Sequence, residues 1–360
     1  MSAAPKVSLS PTLALARPDI LALQAYEHAL WDPALERLHA NELPWRASGD
    51  NSGAGLNRYP EPQPRRLVER LASLYGVAPE QTLVGRGSDE GIDLVVRAFC
   101  RAGQDAVLIT PPTFGMYAVA ARIQGASVRS VPLDPARGFA LDADAVLAAC
   151  DASVRVVFLC SPNNPTGNLL DAERMSGLAR ALEGRAVLVV DEAYGEFADS
   201  PGMAPRLAAH PNLVVLRTLS KAHGLAGARC GTLLAAPEII ALLRKLIPPY
   251  AITQLTVEAV LQFLEPPALA VMRERIALLR RERERLYQAL QTTRGVTRIW
   301  RSDANFILAS FADADGALQR SIDARLLVRD VRRQPGLGNA LRITIGTPGQ
   351  NDRLLQALAS

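Results

Sequence analysis

The sequence predicts an α/β protein built on a mostly parallel sheet, with a smaller α+β unit after it. Three features carry this. From about residue 65 to residue 235 short apolar segments alternate with amphipathic ones. Apolar runs without polar alternation, such as Val187-Leu188-Val189-Val190, suit strands covered on both faces. After Pro248-Pro249 the alternation stops and a long helical pattern takes over.

In chain order, an amphipathic helix over 65–75 precedes a strand over 82–84. Gly85-Arg-Gly-Ser-Asp-Glu-Gly91 then turns into a helix over 89–100. Strands follow at 106–110, 127–131, 154–160, 186–190, 213–216 and 231–235, which makes seven with the first. Helices over 116–124, 142–149 and 172–182 lie between them. A long helix over 269–290 carries Ile276, Leu279, Leu286 and Leu290 on one side, so its run Arg280-Arg-Glu-Arg-Glu-Arg285 reads as a solvated face. Strand-like pieces at 305–309 and 341–345 complete the smaller unit. The expected division is a large domain over 41–255, and a small domain from 1–40 together with 256–360.

Composition narrows the function. With 360 residues, 49% of them hydrophobic and 21% charged, the chain is long enough for a substantial core and ordinary for a globular protein. A net charge of +4 is too mild and dispersed to argue for nucleic acid, though it fits a site that holds anions. Cys100, Cys150, Cys160 and Cys230 are far apart and flanked by apolar or small residues, which predicts buried free thiols. His28, His39, His210 and His223 show no ligand spacing, so no metal site is expected. No apolar run reaches the roughly 18–20 residues of a membrane span. Residues 1–19 lack the apolar stretch of a secretory signal. A cytoplasmic location fits these features.

Of the 40 Lys and Arg residues only three are lysine: Lys6, Lys221 and Lys245. A chain so committed to arginine keeps lysine where guanidinium cannot serve. A lysine amine can lose its proton and condense with a carbonyl. Lys221 stands between hydroxyls (Thr218, Ser220) and an arginine (Arg229), which suggests a Schiff-base lysine beside a phosphate site for pyridoxal phosphate.

Two further strand ends supply what that cofactor needs. The strand over 186–190 delivers Asp191-Glu-Ala-Tyr194 at its carboxyl end, where open α/β sheets place ligands. The strand over 154–160 ends in Ser161-Pro-Asn-Asn-Pro-Thr-Gly167. A carboxylate such as Asp191 can keep the ring nitrogen protonated. The amide of Asn164 and the hydroxyl of Tyr194 can donate to the phenolic oxygen, and Lys221 can form the imine and shuttle the proton. Taken singly these are an N-cap, a turn residue and a surface lysine; their joint order favours chemistry. Anions have three candidate holders: the helix start at Ser88 and Asp89, the group Thr218, Ser220 and Arg229, and Tyr59. Phe114, after another strand end, could stack on the ring.

These segments resemble the fold-type I aminotransferases, and among them the histidinol-phosphate group. The matching pieces are Asn41-Glu-Leu-Pro44, Arg58-Tyr-Pro60, Gly85 to Gly91, Pro112-Thr-Phe-Gly-Met-Tyr117, Ser161 to Gly167, Asp191 to Tyr194, residues 218–231 and Leu341-Arg-Ile-Thr-Ile-Gly-Thr347. The resemblance implies a pyridoxal 5′-phosphate enzyme that transaminates L-histidinol phosphate with 2-oxoglutarate, giving imidazole-acetol phosphate and L-glutamate. It implies a homodimer in which Tyr59 reaches the neighbouring subunit's cofactor, with Ser88, Asp89, Ser220 and Arg229 at the phosphate. Substrate would be met by Asn41, Asn164, Arg329 and Arg342, the arginines facing its phosphate or a carboxylate. For Arg329 a surface ion pair is the plainer reading. Two departures stand out: Phe114 replaces a tyrosine common in relatives, and Leu23 stands before Gln24 where relatives often carry a substrate-contacting tyrosine.

The alternatives are an aromatic amino-acid aminotransferase or a phosphothreonine-type decarboxylase of the same fold. A nicotinamide oxidoreductase fits poorly, because the third glycine falls at Gly91, one residue late, and the next strand ends at Thr110-Pro-Pro without an acid for a ribose. A regulatory protein that kept only the pocket lacks any visible DNA-binding segment.

Overall fold

The computed structural model describes residues 9–28, 30–32 and 34–359; Lys6 lies outside them. Its main sheet has seven strands: β1 (Thr82–Gly85), β2 (Ala106–Ile109), β3 (Ser127–Ser130), β4 (Val154–Cys160), β5 (Val187–Asp191), β6 (Leu213–Thr218) and β7 (Gly231–Ala235). They lie in the order β1-β7-β6-β5-β4-β2-β3. All neighbours are parallel except β7, which runs antiparallel to both β1 and β6.

Strand pleating explains why β4 and β5 are apolar throughout. Val156, Phe158, Val187 and Val189 enter the core on one face, and Val157, Leu159, Leu188 and Val190 the core on the other. The first face is covered by helices α3 (Ser88–Phe99), α4 (Met116–Gln124) and α7 (Pro237–Arg244). The second is covered by α5 (Ala143–Ala149) and α6 (Ala172–Leu182). Helix α2 (Arg65–Tyr75) packs with β1 and α8 (Gln254–Phe263) in a third cluster.

Register aligns the strand ends that matter. Cys160 pairs with Asp191, Asp191 with Leu216, Thr218 with Gly231, and Gly231 with Gly85. Because β7 is reversed, its beginning falls at the edge where β1, β4, β5 and β6 finish. The loops after β1, β2, β4, β5 and β6 therefore open on one side of the sheet, β2 being parallel to β4.

The smaller unit is an antiparallel sheet in the order β10-β11-β9-β8: β8 (Val296–Ile299), β9 (Phe306–Phe311), β10 (Arg329–Asp330) and β11 (Ala340–Thr344). Helices α9 (Pro266–Thr292), α10 (Ala314–Asp323) and α11 (Pro348–Ala359) cover it around Leu286, Leu290, Ile307, Leu341 and Leu354.

Three expectations are corrected. Of the segment 1–40, the part with regular structure, which includes the short helix α1 (Pro18–Ala22), packs on the large sheet rather than with the small unit. Leu15, Ala16 and Ile20 join the α3–α4–α7 core, Arg17 N donates to Ala98 O at 2.9 Å, and Lys245 Nζ donates to Leu21 O at 2.8 Å. The expected boundary at 255 falls inside α8, whose Val257 and Val260 pack with Leu67, Leu71 and Val84. The charged run on α9 is not simply solvated. Glu282 is buried against Arg285 and Asn351, while Arg280 and Arg283 donate to the carbonyls of Phe197, Ala198 and Ala304. Long guanidinium stems can bury their carbons while their forks satisfy carbonyls.

Candidate active site

These five loops close around a cleft with about 590 Å³ of empty space. Ser88, Asp89, Phe114, Asn164, Asp191, Tyr194, Thr218, Ser220, Lys221 and Arg229 all line it, so ten expected cofactor contacts converge from six strand or helix ends. Cys160, Ala193 and Ala226 complete the lining.

Asp191 is the floor. It is 2% exposed; its Oδ2 accepts from Tyr117 OH at 2.9 Å and its Oδ1 from Ala193 N at 3.1 Å. Burial pushes its carboxyl up to about 6, and the two donors pull the other way. The next residue, Glu192, is buried as well and is held by Arg217 Nη1 at 2.8 Å and by Met203 N at 2.6 Å. Tyr194 packs edge-on against Phe306 of the small unit, ring centroids 5.1 Å apart, and its hydroxyl accepts from Asn164 Nδ2 at 3.3 Å.

The Asn164 loop is held from within. Asn163 accepts from Thr113 Oγ1 at 2.8 Å and donates to Pro112 O at 2.8 Å, which fastens this loop to the one that carries Phe114. From the small unit, Asp303 N donates to Gly167 O at 2.7 Å. Arg342, on β11, donates through Nη1 to Asn164 Oδ1 and sits 5.2 Å from the Phe306 ring centroid. The small sheet thus brings one expected substrate residue to the cleft. Arg329 lies opposite Arg342 in the β10–β11 register and is exposed. No ion pair involves it among the described residues, so the surface-pair reading is not supported.

Lys221 is exposed as a residue, yet its amine is partly desolvated by the cleft walls. That burial lowers its pKa; Arg342 and Arg229 push the same way, against Asp89 and Asp191. Its Nζ stands 5.7 Å from the Tyr194 ring centroid. At the opposite end, Gly87 is the N-cap of α3 and offers no capping side chain, so the first-turn amides face the cleft at Ser88 and Asp89. Arg229, in the left-handed region at φ 52°, reaches Ser220 Oγ at 3.4 Å and Asp89 Oδ2 at 3.6 Å. A Cβ at Gly231 would sit 2.6–2.7 Å from the backbone of Gly87 and Ser88. Glycine at 231 is therefore what lets β7 lie against this helix start.

Two expected residues lie elsewhere in the chain. Asn41 and Tyr59 line a separate groove, where Tyr59 stacks on Tyr250 at 4.5 Å and 18° and remains 50% exposed. Tyr26, near the Leu23 departure, is 67% exposed and edge-on to His28. Sequence reasoning missed the site role of Tyr117, Cys160 and Arg217. Tyr117 stood within a quoted motif, but only the fold aims its hydroxyl at Asp191. All four cysteines are buried and free, as expected. Among the described residues no cluster of three metal-ligand side chains occurs, and no single helix is long and apolar enough to cross a membrane.

Residues 36–358 match the family model "Aminotransferase class I and II". The chain is 49% identical over 98% of both chains to a histidinol-phosphate aminotransferase of Stenotrophomonas maltophilia. It is 50% identical, again over 98% of both, to one of Xanthomonas euvesicatoria. Among solved structures, the histidinol-phosphate aminotransferase of Sinorhizobium meliloti in complex with pyridoxal-5′-phosphate superposes with a TM-score of 0.76 at 26% identity, covering 84% of this chain and 83% of that one.

Proposed function

Since the chain belongs to the class I and II aminotransferases, and within them to the histidinol-phosphate aminotransferase family, we propose that it moves the amino group of L-histidinol phosphate to 2-oxoglutarate. The products are imidazole-acetol phosphate and L-glutamate. The observation that carries this is the single cleft in which Lys221, a buried carboxylate and an anion-binding helix start meet under Arg342.

The residues fit pyridoxal 5′-phosphate. The first turn of α3, Ser220 and Arg229 make a cradle narrow enough to exclude a Cβ at 231, suited to a phosphate. Asp191 would pair with the ring nitrogen, Asn164 and Tyr194 with the phenolic oxygen, and Phe114 would cover the ring face. When bound, the cofactor supplies an aldehyde that condenses with amines and a ring that draws electron density from the substrate's α-carbon. Lys221 Nζ, whose pKa burial lowers, would serve as the base that takes and hands on the proton of the substrate's α-carbon. An ionised Asp191 would hold the ring nitrogen protonated. Arg342, with Arg329 beside it, offers two guanidinium groups to the substrate's phosphate or to the carboxylate of the second substrate.

A homodimer is part of this reading. Tyr59 and Asn41 lie outside their own cleft, in a segment that also exposes Leu38, Leu43 and Trp45 at 93, 70 and 77%. A second copy would cover that segment and bring Tyr59 to the partner's phosphate cradle. Four buried free thiols support a cytoplasmic setting.

The test is a panel of amino donors, with histidinol phosphate beside His, Phe and Tyr, followed by glutamate formation from 2-oxoglutarate. Histidinol phosphate should be clearly preferred. Equal use of Phe or Tyr would move the assignment to an aromatic aminotransferase, and release of carbon dioxide to a decarboxylase.

A further inference from the structure

Tyr117 touches the cleft's chemistry without lining the cleft. It lies on α4 and is fully buried. Its ring lies parallel on Phe158 of β4, centroids 4.7 Å apart at 4°, and meets Phe114 edge-on at 5.7 Å and 82°. Two aromatic contacts fix the ring plane, and that plane carries the hydroxyl to 2.9 Å from Asp191 Oδ2. Among the described residues the other donor to this carboxylate is a backbone amide, that of Ala193. A carboxylate in such a place tends to take up a proton, and a donor to its ionised form opposes that.

We propose that Tyr117 is the positioning residue that keeps the Asp191 carboxylate ionised and turned into the cleft. This rests on the reading of Asp191 as the partner of the cofactor's ring nitrogen. The groups whose charge reaches Asp191 are Asp89 from α3, Tyr117 from α4, Cys160 from β4, Glu192 and Tyr194 from its own loop, and Lys221 from the loop after β6. A negative charge on Asp89 or on Glu192 opposes ionisation. Tyr117 is the side chain that donates directly. Burial, with Asp191 beside it, holds the Tyr117 phenol well above its ordinary range, so it stays a donor throughout neutral pH. Phenylalanine would fill the same volume and keep both ring contacts, which isolates the hydroxyl as the working group.

The experiment measures the affinity of the apoprotein for pyridoxal 5′-phosphate from pH 5 to 9, in wild type, Tyr117→Phe and Asp191→Asn, together with kcat, KM and thermal unfolding. In wild type the affinity should fall as Asp191 takes up its proton. In Tyr117→Phe that fall should move upward by about one to two pH units, the worth of one hydrogen bond to a charged group. Its kcat should drop more than its KM changes. Site-specific 3,5-difluorotyrosine at 117, a stronger donor with no cavity, should move the midpoint the other way, and it serves if Tyr117→Phe folds poorly. A profile that stays put in both variants, with only a lower melting temperature, overturns the proposal and leaves Tyr117 a core residue. If wild type takes up no cofactor, or Asp191→Asn binds it with an unchanged pH dependence, the parent reading of Asp191 fails instead.

Discussion

Arg217 offers the most direct test of how the site loops are held. It is the penultimate residue of β6, four residues before Lys221, and its fork bridges Glu192 Oε2 and Glu196 Oε1, each at 2.8 Å. Those glutamates flank Tyr194, so one guanidinium ties the loop after β5 to the strand that delivers the lysine. The side chains are 12, 2 and 13% exposed for Arg217, Glu192 and Glu196, which puts the pairs among buried ones, where removing one partner costs about 3–5 kcal/mol. Arg217→Met keeps the stem and deletes the charge. At roughly 2.1 cal/mol/K per residue the unfolding entropy of 360 residues is about 0.75 kcal/mol/K, so the melting temperature should fall by about 4–7 °C if the chain unfolds as one unit. The loss should depend on pH. Burial already raises the Glu192 pKa against the pull of Arg217; without the arginine it rises further. A carboxyl with a raised folded pKa stabilises the fold below its unfolded pKa and loses that contribution as pH rises through the folded value. The variant should therefore be closest to wild type near pH 5 and furthest from it near pH 8. Arg217→Lys should recover only part, because an ammonium cannot fork to two carboxylates. Calorimetry across that range is the assay. A deficit under 1 kcal/mol that is flat with pH would refute the clamp.

Three other outcomes follow from the same geometry. Lys221→Ala should lose turnover and should no longer become covalently labelled when the cofactor is added and its imine is reduced with borohydride; several turnovers from it would reject the lysine's role. Gly231→Ala puts a Cβ 2.6–2.7 Å from Gly87 and Ser88, so the cradle must open; strain of about 1–3 kcal/mol predicts a loss of cofactor affinity of about fivefold to 150-fold, read by absorbance titration. Apoprotein stability should decline from pH 4 through about pH 6 by roughly 3 kcal/mol, since the Asp191 carboxyl titrates near 6 when folded and near 3.8 otherwise. Asp191→Asn should remove that decline, and an unchanged curve would exclude the residue as its source.

Much of this was legible in the chain because the relevant signals are local. The strands 154–160 and 231–235 and the helices 65–75, 116–124 and 172–182 have the expected limits, each bounded by turn residues or a switch of period. The short strands Val296–Ile299 and Arg329–Asp330 were not legible: half-exposed or exposed, they carry no apolar run to mark them. The N-terminal segment was misplaced for another reason. Leu15 and Ile20 announce a buried face but not which body buries it, and that choice is made by α3 and α7 some 80 to 220 residues away. The residues expected at strand ends were legible as a group that converges on one cleft, because chain order and sheet register coincide there. Tyr117 and Arg217 were not, because each acts across a separation in sequence that no local pattern encodes, 74 residues from Tyr117 to Asp191 and 25 from Arg217 to Glu192.

The cleft's charges also explain why lysine at 221 sits among arginines. Arg342 and Arg229 each lower its pKa, and both are groups that would receive anions in the proposed reaction. An anion on either one cancels part of the repulsion felt at Nζ and lets the amine hold a proton more firmly. With both arginines bare, their charges add to burial in lowering the amine's pKa. Once they are engaged, the amine is better suited to carry a proton from one carbon to the next. Arginine at 221 could do neither, because guanidinium stays charged in both circumstances. The same two guanidinium groups can therefore bind anions and time the basicity of the lysine, which needs no moving part beyond the anions themselves.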